Sequence, residues 1–212
     1  AAGGSGANTM IGVSQLGGDA IFSGKIGRDE YGRIYRKKLE ESGVISRLGE
    51  GDGTTGSSVI LVSDDGGRTM NTFLGMSQDL HIEDIDQGMI QDSSYLYLTG
   101  YLWDTESQKE TVMKLLNKAK KGDVKVSLSL SDPFCVTRHK NHFIKLIQEY
   151  NSILFCNQDE IFTLLDTCVT QEALKIISQW TETVVLTLGE KGALISHNSD
   201  IIYIDPMPVN VI

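Results

Sequence analysis

The chain is 212 residues long with a formal net charge of −9 and a sequence pI near 4.9, which opposes unassisted attraction to nucleic acid or an anionic membrane, both themselves negative. No run approaches the roughly 20 apolar residues that span a bilayer, and the N-terminus lacks a basic-then-apolar export signal. Cys135, Cys156 and Cys168 form neither a C-x-x-C pair nor an even disulfide framework, so reduced thiols in a cytoplasmic core are expected, and no metal-thiolate site.

This length suits one well-buried domain with a small appendage. Gly3-Gly4-Ser5-Gly6-Ala7-Asn8 sets a polar amide after residues too small to block a ligand, and glycine lets backbone N–H groups approach it closely. Ala7 to Gln15 has helical spacing and stops at Leu16-Gly17-Gly18. Ala20 to Ile26 reads as a strand; Gly27-Arg28-Asp29-Glu30 turns into an amphipathic helix from Tyr31 to Glu41, stopped at Ser42-Gly43. Gly56 to Val62 and Arg68 to Leu74 are β-rich runs around Ser63-Asp64-Asp65-Gly66-Gly67, a hairpin signal.

Beyond the hairpin, Ile82 to Ile90 reads as a helix, Ser94 to Thr99 as a strand and Glu106 to Lys121 as a helix. Val124 to Leu130 is a strand interrupted by Asp132-Pro133, and Lys140 to Tyr150 is helical. Ile153 to Cys156 is a buried strand leading into Asn157-Gln158-Asp159-Glu160. Helices follow around Glu160 to Leu165 and Gln171 to Trp180, then the strand Thr183 to Leu188, then a closing hairpin from Gly192 to Ser196 and Ile201 to Ile204.

Apolar strands alternating with amphipathic helices predict an α/β fold, doubly wound, with a mainly parallel sheet covered by helices on both faces. Ligands of such sheets bind beyond the carboxyl ends of the strands, where Gly27-Arg28-Asp29, Gly100-Tyr101, Ser131-Asp132, Asn157 and Thr187-Leu188-Gly189 fall. Asn157 and Glu160, three residues apart, share one face of the following helix. That pair reads in two ways: as holders of hydrated Mg²⁺ near phosphates, or as an N-terminal cap with a first-turn acid. The glycine-rich start likewise reads as a ligand loop or as a tight turn with a helix-starting Asn8.

The ordered set GGSGAN, LGG-DAIFSGKIGRDEYG, ESGV, TTGSSVILVSDDGGRTMNTFLG, YLYLTGYLWD, LSDPFCVTRH, LFCNQDE and TLGEKGALI resembles the PfkB, ribokinase-like sugar and nucleoside kinases, and most of all their adenosine-kinase-like branch. The resemblance covers nearly the whole chain. It implies transfer of the ATP γ-phosphoryl, with Mg²⁺, to a primary hydroxyl of a sugar or nucleoside, adenosine-like foremost. It places Gly3, Gly4 and Asn8 at the sugar hydroxyls and residues 54–75 in a small β lid that covers the substrate. Arg68 then faces substrate or phosphate, or is a solvated strand charge; Tyr101 is a wall beside the substrate, or core packing. Asn157 and Glu160 match the N-x-x-E motif that organises Mg²⁺ and phosphates, Glu160 as metal holder with Asn157 acting through water. Thr187 and Gly189 match strand-end contacts to the nucleotide, or an ordinary exit from a strand. Asp132 and Arg138 receive no chemical role. The four histidines read as surface or core residues.

Family members run to about 300 residues, so a first strand with an acidic sugar ligand is expected before Ala1. A glycine-rich anion hole with the catalytic aspartate is expected beyond Ile212, and the 212 residues alone are expected to be inactive. Expected partners are a small sugar or nucleoside, in a monomer or homodimer, without nucleic acid or membrane. Two alternatives remain: a kinase for another small sugar, and a non-catalytic binding remnant. A nicotinamide dehydrogenase ranks last, for want of a G-x-G-x-x-G turn after a first strand.

Overall fold

The structure, a computed structural model, describes residues 2–198 and 200–208. They group into two compact units, one built from the chain up to Gly88 with Asp104–Leu115, the other from Met89–Trp103 with the chain after Leu115.

The first unit begins with α1 (Ser5–Gln15), which ends where Gly17 takes φ +86°. Gly17 N donates to Ser14 O and Gly18 N to Val13 O, so two carbonyls that the helix leaves unpaired are satisfied by a residue free to turn left-handed. Next come β1 (Ile21–Gly27), α2 (Glu30–Glu41) and β2 (Ile45–Gly51), with β2 parallel to β1 from Ile21 opposite Ile45 to Gly27 opposite Gly51. Asp29 caps α2 through Gly32 N, and Gly43, at φ +80°, closes it as Gly17 closes α1.

Strand β2 escapes sequence reading because its inward positions are Ser46 and Leu48, alternating with charged and glycine residues that mask the period. Ala7, Ala20, Ile26, Leu39, Val44 and Leu48 form the core of this unit, with Met10, Ile11, Phe22 and Tyr35 against it. Truncating the fully buried Leu39 to alanine would cost about 2–5 kcal/mol.

The β-rich runs form the antiparallel hairpin of β3 (Ser57–Val62) and β4 (Arg68–Phe73), and every residue of both strands is exposed. The helix expected over Ile82 to Ile90 is instead a 3₁₀ turn at Ile82–Asp84 and a four-residue α3, Gly88–Gln91. Asp84 is the reason: its carboxylate accepts from His81 N at 2.9 Å and pairs with Lys25 at 3.0 Å, tying the segment to β1 instead of letting it run on as a helix. Lys25 also pairs with Asp79 at 3.0 Å, and its side chain is only 10% exposed.

The second unit holds a six-stranded sheet ordered β10-β9-β8-β7-β6-β5. Its strands are β5 (Tyr95–Thr99), β6 (Lys125–Ser129), β7 (Asn151–Asn157), β8 (Thr183–Thr187), β9 (Ala193–His197) and β10 (Asp200–Ile204). The pairs from β5 to β8 are parallel, and β9 and β10 add antiparallel strands at one edge. The connecting helices are α4 (Glu106–Lys121), α5 (Pro133–Tyr150), α6 (Gln158–Leu165) and α7 (Thr170–Ile177). The expected α/β architecture with a mainly parallel sheet is present.

Asp132-Pro133 does not end a segment as expected; it begins α5. Asp132 accepts from Cys135 N at 2.7 Å, and proline is at home in the first helical position, where its missing N–H is not needed. The backbone of α5 kinks at His139 (φ −121°, ψ 16°), so the regular periodicity in the sequence begins only at Lys140. Leu128, Leu154, Val184 and Leu186 from the strands, with Val136, Phe143, Ile147, Ile161 and Ile177 from the helices, are fully buried, and Trp103 packs edge-on to Phe143 at 5.5 Å.

Candidate active site

In the second unit the polar residues singled out from sequence gather after the carboxyl ends of successive parallel strands. Asn157 ends β7 and Thr187 ends β8, directly opposite each other in the ladder. Asn157 then caps α6 in a reciprocal box. Glu160 N donates to Asn157 Oδ1 at 2.9 Å, while Glu160 accepts from Asn157 N at 3.0 Å and from Asn157 Nδ2 at 2.8 Å. Two unpaired amides of the helix start are thereby satisfied at once, and both side chains are held in one pose.

Glu160 is 5% exposed. Burial pushes its carboxyl above the ordinary range, the hydrogen bond from Asn157 N opposes the shift, and the negative charges of Asp132 and Asp159 add to it. Among the described residues no basic side chain pairs with it. A buried carboxylate with acidic neighbours and no cation beside it suits a divalent metal, which supplies the missing charge. An amide and a carboxylate are also oxygen donors of the kind Mg²⁺ accepts, directly or through its waters. Cys156, one residue before the box, is a buried thiol pushed far up by burial and then by Glu160, so it offers no nucleophile.

The ends of β5 and β6 contribute the other wall. Gly100 N donates to Ser131 Oγ at 2.8 Å, and the Tyr101 hydroxyl donates to Ser131 O at 3.4 Å. Burial, then a hydrogen bond to Asp132, raises the Tyr101 hydroxyl well above its ordinary range, so it remains a donor at neutral pH. Tyr101 stays 41% exposed, more than a core residue would be. Thr187 Oγ1 donates to Cys156 O at 3.4 Å. Gly189 takes φ +62° and is exposed, with nothing within 4 Å of where a Cβ would lie, leaving its backbone open to a ligand. Asp132, one of two residues that sequence reading left without a role, caps a helix after β6, a place signalled only by the Asp-Pro pair.

The remaining candidates lie in the first unit. Gly4 precedes α1 at φ +97°, a conformation that side chains disfavour, and its carbonyl accepts from Asn8 N at 3.0 Å. Asn8 is thus inside the first turns of α1 and is not the residue that caps it. Its side chain is exposed and bonds to no other described residue. Gly3 O accepts from the Tyr35 hydroxyl at 3.1 Å, a group whose pKa burial pushes up to about 12. Arg68 opens β4 opposite Val62, beside the hairpin turn, and is exposed.

One unit holds a mainly parallel sheet with polar residues at its carboxyl edge and the other a β-hairpin, the parts of a ribokinase-like kinase fold, and the structure superposes on adenosine kinase from Sinorhizobium meliloti with a TM-score of 0.93 at 30% identity, over 100% of this chain and 65% of that one. The chain belongs to the pfkB family of carbohydrate kinases, matching it over residues 1–212. It is also similar to guanosine-inosine kinase of Escherichia coli (strain K12), 28% identical over 199 residues, 90% of this chain and 46% of the relative. Fructokinase of Vibrio alginolyticus is 21% identical over 196 residues, 90% of this chain and 64% of the relative. The chain thus spans about half to two-thirds of the length of these proteins.

Proposed function

We propose that the protein is a kinase that transfers the γ-phosphoryl of ATP, with Mg²⁺, to a primary hydroxyl of a small sugar or nucleoside, a purine nucleoside above others. The observation that carries this reading is the buried Glu160 carboxylate, locked to Asn157 at the carboxyl edge of the sheet without a cationic partner among the described residues. The purine preference rests on the similarity to guanosine-inosine kinase and adenosine kinase.

Bound Mg²⁺ would neutralise charge on the phosphates as the γ-phosphoryl moves. Glu160 would hold that ion, and Asn157 would act on it through water. Thr187 and the open backbone at Gly189 would contact the nucleotide beside them. In the first unit, Gly3, Gly4 and the unengaged Asn8 amide would take the acceptor hydroxyls, and Arg68 would be available to substrate or phosphate; in the second unit, Tyr101 would serve as a wall against the substrate. The β3–β4 hairpin would act as a lid that excludes water from the reaction. The acceptor of the hydroxyl proton is assigned to none of the described residues.

ATP consumption by the complete protein, measured with adenosine, guanosine, inosine, ribose and fructose as acceptors, tests the reading. Turnover with a purine nucleoside well above the sugars is expected. Turnover with fructose alone would favour a sugar kinase, the reading that the fructokinase similarity supports. A flat response to every acceptor, with ligand binding intact, would leave a non-catalytic binding protein.

A further inference from the structure

We propose that Asp29 and Thr55 form a latch that fixes the stem of the β3–β4 hairpin against the end of β1, making Asp29 a positioning residue for capture of the acceptor. The second half of that statement rests on the lid reading above; the first does not.

The hairpin needs such a device. All twelve residues of its strands are exposed, including Val59, Leu61, Val62 and Met70 at 58–67%, so no core packing sets its direction. Its pose must come from the stem. There, Thr55 is 5% exposed, and it is bonded on three sides. The Thr55 hydroxyl donates to Asp29 Oδ1 at 2.6 Å and accepts from Gly27 N at 2.9 Å, while Thr55 N donates to Asp29 Oδ2 at 2.9 Å.

Asp29 Oδ1 also accepts from Gly32 N at 2.8 Å, so one carboxylate both starts α2 and holds the segment leading into β3. The outgoing side is tied to the same point, because Met76 N donates to Thr54 O at 2.9 Å. The backbones approach so closely that only glycine fits. A Cβ on Gly27 would collide with Gly53 O and one on Gly32 with Gly27 O, while one on Gly75, at φ +53°, would collide with Thr54 O. Two hydrogen bonds to the Asp29 carboxylate and one to the buried Thr55 hydroxyl, within a glycine-walled joint, make a rigid base under an otherwise unsupported ribbon. A charged acceptor strengthens each bond it receives. In agreement, the hydroxyl and amide of Thr55 hold the Asp29 carboxyl below its ordinary range.

The test is amide hydrogen exchange on the complete protein with three variants. Thr55→Val keeps the shape and removes the hydroxyl. Asp29→Asn keeps an acceptor for Gly32 N but turns an NH₂ toward Thr55 N. Thr55→Ser retains the hydroxyl. In the first two, residues 56–75 should exchange roughly tenfold faster by local opening, while α2 stays within about twofold of the parent and reports an intact fold. Thr55→Ser should exchange like the parent. The acceptor KM should rise about five- to tenfold in the loosened variants, with the KM for ATP unchanged, as expected where an ordering step is lost. Parent-like exchange over residues 56–75 in both Thr55→Val and Asp29→Asn would overturn the latch. Faster exchange with an unchanged acceptor KM would overturn the positioning role and the lid reading with it, because exchange reads the joint whether or not the hairpin covers substrate.

Discussion

Asn157 and Glu160 bond to each other through both backbone and side chain: each side chain accepts from the other's backbone N–H, and the Asn157 amide donates to the second oxygen of Glu160. The cap reading and the metal reading of N-x-x-E are therefore not rivals. The box holds the carboxylate in place, and a carboxylate buried in that pose and lacking a cationic partner among the described residues is what a metal would complete.

Glu160→Gln should separate the two roles. The glutamine oxygen still accepts from Asn157 N, but its NH₂ meets the Asn157 Nδ2 donor, so one hydrogen bond is lost; removal of a buried negative charge offsets part of that cost, and stability should fall by about 1 kcal/mol. Turnover should fall by about 10²-fold if the carboxylate acts on charge in the transition state, with the acceptor KM little altered. Steady-state kinetics beside thermal denaturation check this, and an undiminished kcat would remove Glu160 from the mechanism.

Asn157→Ala should behave differently. It deletes the cap of α6, worth about 1 kcal/mol, and leaves Glu160 without its Asn157 Nδ2 donor, a further loss of about 1–3 kcal/mol. Urea denaturation should show the larger loss here, because Glu160→Gln gives up only the Nδ2 bond and keeps the Asn157 cap. Equal midpoints for the two variants would mean that the box does not hold the helix start.

Asn8→Ala should leave the melting temperature unchanged, since the side chain is exposed and does not cap α1. If it grips acceptor hydroxyls, binding should weaken by roughly 1–3 kcal/mol, measured by calorimetry with the preferred acceptor. Parent-like affinity would return Asn8 to an ordinary helix surface.

Gly4→Ala and Gly3→Ala form a matched pair. Gly4 sits at φ +97°, ψ 135°, an extended positive-φ region nearly confined to glycine, where an alanine costs about 1–3 kcal/mol; Gly3 has open space where a Cβ would go. Only the first should lower the thermal midpoint. Both should weaken acceptor binding if the backbone there touches the sugar.

Because burial and acidic neighbours raise the Glu160 carboxyl above 4.5, the folded protein holds that proton more tightly than the unfolded chain. Its contribution to stability is thus fully present below the ordinary value and is lost as pH rises through the raised one. Cation binding requires the ionised form, so Mg²⁺ affinity should begin to fall on acidification while the pH is still above 4.5. Calorimetric Mg²⁺ titrations across the acidic range check this, and the pH dependence should be absent in Glu160→Gln.

Much of this was legible along the chain. The glycine stops of α1 and α2, the hairpin around Ser63 to Gly67 and the parallel strands from β5 to β8 each carry a local signal, either a residue that alone tolerates left-handed backbone or an apolar run too short for a helix. Strand β2 was hidden because Ser46 occupies an inward position where a sequence reader expects an apolar side chain. The expected helix over Ile82 to Ile90 failed because Asp84 is drawn to Lys25, a partner almost sixty residues away. The start of α5 was obscured by a kink at His139 that no residue type announces.

The sequence by itself determined the alternation of strands and helices, the family resemblance and which polar residues follow the strands, because backbone preference and hydrophobic period act over a few neighbours. Only the tertiary structure decided that Glu160 is buried without a cationic partner among the described residues, that Tyr101 reaches Asp132 and that Asp29 grips Thr55 across twenty-six positions of chain. Desolvation and hydrogen bonding depend on distances in space, and those are set once the sheet register and the glycine-tight joints bring remote segments into contact.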